Sequence, residues 1–174
     1  MGENIDLDHD KSESSLLFEF DHNADHFGNQ VWLRFRVKET DLLVGTTREG
    51  IPVPGIPLLI PAFATLGMAA LRVCKQVGRA ALELDDYGHE LLFQMKGEDV
   101  LVCSTMLRTK ITVNFQDLLE AWQVFATEVR DVVISKNPEK TDYGYWPLID
   151  HYPDSALEQF LTLSTWFDER KDCF

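Results

Sequence analysis

Positive charge is scarce in this chain. Only 16 Lys and Arg stand against 29 Asp and Glu, so the 174 residues carry a net charge of −13. A surface of that sign repels phosphate backbones and anionic lipid, which argues against nucleic acid or a membrane as the primary partner. It attracts a basic partner and speeds the encounter, and it also keeps a protein soluble. Cysteine is scarce too. The three present, Cys74, Cys103 and Cys173, lack the even number and close spacing of a disulfide framework or a structural zinc site. Cys74 and Cys103 lie in apolar patterns and read as small core residues, which suits a reducing cytoplasm.

Targeting signals and catalytic signatures are missing as well. The first 15 residues are acidic and polar, the reverse of a secretory leader. Residues 51–71 are uncharged and long enough to span a bilayer, but Pro52, Pro54, Pro57 and Pro61 crowd the first half. That stretch reads as a Pro-rich loop leading into a buried helix. There is no Gly-rich phosphate loop, no nucleophile elbow and no Cys/His pairing with a recognisable context, so an enzyme is the weaker expectation. No internal repeat is visible.

What is present is periodicity. Leu16, Phe18 and Phe20 alternate, and Val31, Leu33, Phe35 and Val37 alternate with Trp32, Arg34, Arg36 and Lys38. A period of two predicts strands over 16–20 and 31–38, with a third over 42–46. The basic face of the second strand is expected to pair with Glu19 and Asp21 of its neighbour. Phe63, Leu66, Ala70, Val73, Cys74 and Val77 fall at helical spacing, opened by Pro61 and closed by Gly78. A meander then spans 79–84, 89–94, 100–105 and 110–113. Asn114, with Asp117 three residues on, caps a long helix to Ser135 with Trp122 and Phe125 in its apolar stripe. Residues 141–154 read as an aromatic loop and Pro153-Asp154-Ser155 as the start of a last helix. The pattern predicts one α+β domain over residues 15–174 behind a disordered acidic tail at 1–14. Its antiparallel sheet has about six strands, in the order β-β-β-α-β-β-β-α-α, and its helices cover mainly one face.

Three groups could carry chemistry. Asp21-His22-Asn23-Ala24-Asp25-His26 has metal-ligand residue types, but it lies in a turn where four-residue spacing has no fixed geometry. A solvated turn with no metal is the expectation, and no cofactor is called for. His89 with Glu90, and Asp150 with His151, are the acid–base candidates. The most distinctive group is Tyr143, Tyr145 and Trp146, flanked by Asp142, Asp150 and Asp154. Such rings with an acidic rim are the chemistry of an interface hot spot facing a basic protein; packed inward, they would instead seal the core.

The phrases His89-Glu90-Leu91-Leu92-Phe93, Gly97-Glu98-Asp99-Val100 and Val113-Asn114-Phe115-Gln116-Asp117-Leu118-Leu119, with the order of elements, resemble small acidic bacterial immunity proteins of polymorphic and contact-dependent toxin systems. The resemblance spans residues 16–135 and carries over no functional residue. It implies a non-enzymatic cytoplasmic protein that neutralises a basic toxin effector by covering its active site with carboxylates. The alternative is a small-molecule-binding or catalytic α+β domain with its pocket at the 141–154 loop. A homodimer formed through a sheet edge is a third possibility.

Overall fold

The alternating segments form two antiparallel sheets in the computed structural model, which describes residues 16–23, 33–44, 59–84 and 88–151. The first sheet has the order β1-β2-β3: Leu16–Phe20, Leu33–Val37 and Thr40–Val44. The second has the order β4-β5-β6-β7: Arg79–Glu83, Glu90–Lys96, Asp99–Ser104 and Thr109–Asn114. This is the expected α+β fold with antiparallel strands, and among the described residues the strands are seven, divided between two sheets, where about six in one sheet were expected. The sheets meet where β3 runs beside β7, and the Thr109 hydroxyl donates to the Asp41 carbonyl at 2.9 Å. The predicted tail at 1–14, the strand start at Val31 and Trp32, the hairpin residues Asp85 to Tyr87 and the helix from Pro153 lie outside the described residues.

One irregularity arranges the first sheet. Phe35 pairs with Leu43, but Arg36 pairs with Asp41, so Leu42 is an extra residue in β3. A continuous register would set Val37 opposite Asp41 and turn the carboxylate inward. The bulge keeps Leu42 and Leu43 both buried and places Asp41 outside with the arginines. Arg34 and Arg36 bond the Asp41 carboxylate at 2.9 and 3.2 Å, while Glu19 stands 3.7 Å from Arg34. The expected cross-strand pairing with Glu19 exists, and the acid bonded to both arginines is Asp41 of β3. The hydrogen bond from Arg34 holds the Asp41 carboxyl below the usual range, and the same bond raises the guanidinium pKa.

Both long helices follow from their sequence signals. α1, Ile60–Val77, has Pro at its start and ends at Gly78, whose φ of 90° only glycine adopts without strain. α2, Phe115–Lys136, is capped by Asn114, whose side chain accepts from the amides of Gln116 and Asp117. The two helices pack against each other, α1 on β4 and β5, α2 on β1 and β7. Trp122 of α2 lies at the centre, in ring contact with Phe18 and Phe35 of the first sheet, Phe93 of the second and Phe63 of α1. Gly67 admits it: a Cβ there would sit 2.0 Å from the indole. Val77, expected on the apolar face, is 41% exposed. On the other side of the second sheet, Leu92 and Cys103 make a separate small cluster with Ala81.

Candidate functional site

The aromatic stretch is more ordered than the loop its composition suggested. Asn137-Pro138 ends α2, and Pro138–Asp142 forms a 3-10 turn. Pro147–Asp150 then forms a one-turn helix, α3, again with Pro in its first turn. Between them the amide of Trp146 donates to Tyr143 at 3.0 Å, and the amide of Leu148 to Tyr145 at 3.0 Å.

The structure keeps the three rings in contact, with Tyr143 between Trp146 and Tyr145, the latter at 5.3 Å, but gives them different exposures. Trp146 is 5% exposed, and its indole donates to the Lys140 carbonyl at 2.9 Å. It belongs to the core with Ile149, so it is no surface anchor. Tyr143 is half-buried, edge-on to Trp146 at 4.9 Å. Burial, and then the neighbouring Tyr145, push its hydroxyl pKa up. Tyr145 is the ring presented to solvent, 47% exposed. Asp142 and Asp150 are both exposed, while Asp154 lies outside the described residues.

A shallow, open cavity of about 440 Å³ lies beside this segment, lined by Tyr143, Trp146, Asp142, Asp150, Arg130 and their neighbours. The rim is less acidic than the sequence indicated, because Arg130 of α2 donates to Asp150 at 3.2 Å. A second arginine lies behind it. Arg72 of α1 bonds the carbonyls of Leu148 and Ile149. Burial lowers its pKa, and the charge of Asp150 opposes that. Sequence reasoning missed both arginines. A signal was present for Arg72, the lone charge among the first 15 residues of a helix otherwise apolar.

The other candidates disperse. His22 stacks on Phe20 and its Nε2 lies 3.0 Å from Glu128 of α2. The Asn23 amide donates to Asp21 at 2.8 Å, a side-chain-closed turn. Asp25 and His26 fall outside the described residues, among which no group of three metal-ligating side chains gathers. His151 is exposed beside the cavity, and half-buried His89 opens the β4–β5 hairpin far along the chain from it. Cys74 is buried in the main core, which pushes its thiol up to about 12 and leaves it unreactive. No described helix is long and apolar enough to cross a membrane. Comparison with protein-family models, with curated proteins and with solved structures gives no match to this chain.

Proposed function

We propose that the chain is a non-enzymatic acidic binding protein that docks on a basic protein, and that this partner is a toxin effector whose active site it covers. The supporting observation is the Pro138–His151 segment. It holds Tyr145 47% exposed on a base fastened by buried Trp146, Leu148 and Ile149, beside exposed Asp142. Rigid aromatic side chains of this kind lose little entropy on binding. The net charge of −13 steers the encounter, while the buried ring sets the residence time. The test is co-expression with a basic effector encoded beside the gene, scored by growth protection and by a purified complex. Tyr145→Ala is expected to raise the off-rate at least tenfold and to leave the fold intact; added salt is expected to slow association. Absence of both protection and complex overturns the reading.

The cavity beside the segment favours a second reading. It is shallow and open to solvent, and what favours a ligand there is that aromatic and ionic groups line it together. A small-molecule screen by thermal shift separates the two. A hit abolished by Asp142→Asn supports a ligand pocket there.

A further inference from the structure

Arg72 is placed where a charge is costly. It is half-buried on the packed face of α1, one turn before the helix ends. Burying an ion without partners is strongly unfavourable, so its contacts explain its presence. One guanidinium nitrogen donates to the Leu148 carbonyl and the other to the Ile149 carbonyl at 2.5 Å, spans of 76 and 77 residues. Both carbonyls belong to α3, a helix of four residues. A helix that short does not hold itself, and its last carbonyls have no partners of their own.

Four contacts secure α3. The Trp146 indole bonds Lys140, which ties the segment to itself. The side chains of Leu148 and Ile149 are buried, a contact without direction. Among the described residues the fork of Arg72 is the link from a long helix to the backbone of α3, and a planar guanidinium on two consecutive carbonyls fixes rotation as well as distance. Asp150, the next residue, then meets Arg130 of α2 at 3.2 Å.

We propose that Arg72 is the positioning residue of the Pro138–His151 segment, locking α3 in the pose that turns Tyr145 to solvent and brings Asp150 to Arg130. The surface is thus built before any partner arrives. Its role as a binding surface rests on the function proposed above; the clamp itself does not.

Two indole N–H groups give the test its internal control. Trp146 donates within the segment and Trp122 donates to Ala64 in the core. Their proton exchange is measured by NMR in the full chain, with resonances assigned by Trp→Phe substitution. Arg72→Met keeps the length of the stem and removes the fork. It is expected to speed exchange at Trp146 at least tenfold and leave Trp122 unchanged. Arg72→Lys, which can serve one carbonyl but not two, is expected to fall between. Equal acceleration at both indoles would make Arg72 a general stabiliser, and no acceleration at either would leave the segment fixed by its other contacts without the fork; each result overturns the proposal. If Arg72→Met does not fold, the ratio of the two rates in Arg72→Lys decides. No partner enters the measurement, so this outcome is independent of whether a toxin is found.

Discussion

Trp122 and Trp146 carry the same side chain, are both buried, and each donates its N–H to a backbone carbonyl, at 3.0 and 2.9 Å. They hold different kinds of structure. Trp122 reaches 58 residues away to Ala64 and touches rings from both sheets and α1. Trp146 reaches back six residues and closes a turn on itself. A buried ring contributes to global stability in proportion to the elements it joins. One hydrogen-bonded within its own segment, as Trp146 is while its ring packs in the main core, contributes more to local order.

The largest expected effect is at the centre. Trp122→Ala should cost about 3–5 kcal/mol in denaturant unfolding, as truncation of a buried aromatic does; a loss below about 1 kcal/mol would remove its central role. Gly67→Ala comes next. The new methyl meets an indole that five neighbouring rings hold in place, and a cost of about 1–3 kcal/mol is expected, the range for overpacking. The double variant sharpens the point. With the indole gone the methyl has room, so Gly67→Ala in the Trp122→Ala background should cost well under 1 kcal/mol. Strict additivity would show that the two residues do not compete for one space.

Trp146→Ala should cost about 2–3 kcal/mol, less than Trp122→Ala, because local opening of the segment caps the loss. Hydrogen exchange should show the change confined to residues 138–151. An equal loss in the two tryptophan variants would end the distinction between them. The smallest effect belongs to neither ring. Asp41 is held in its charged form by Arg34 and Arg36, so its carboxyl pKa is lower folded than unfolded. That stabilisation is fully present above the unfolded value of about 3.9 and fades as pH falls through the folded one. Asp41→Asn should therefore lose less than about 1 kcal/mol at neutral pH and converge with the parent protein in strong acid. A gap that widens in acid would reverse the assigned sign.

Strands and helices were readable because each carries its own period. Phe18 and Phe35 alternate, α1 begins at Pro and ends at Gly78, and Asn114 caps α2. The division into two sheets was not readable. It depends on where β3 lies relative to β7, a matter of tertiary packing that alternation within a strand does not encode. Asp41 escaped notice for a related reason. Its face is set by the extra Leu42, and a bulge has no signature in a run of Asp-Leu-Leu-Val. Within the candidate site the aromatic residues were legible by composition, but which ring faces inward was not. Tyr145 and Trp146 are adjacent, and their fates are decided by the turn at 138–142 and by an arginine more than seventy residues upstream.

The Thr109–Asp41 bond lies at a joint between two meanders, and that position bears on the order of events as the chain folds. Each sheet is built from strands consecutive in sequence, so its pairings close short loops. The joint closes a loop of 68 residues with all of α1 inside it. Contacts that distant are costlier to form early than the hairpins, so the joint is expected to form after the rate-limiting step. Thr109→Val should then speed unfolding and leave the folding rate unchanged in stopped-flow measurements. A slowed folding limb would instead mean that the two meanders meet before either is complete.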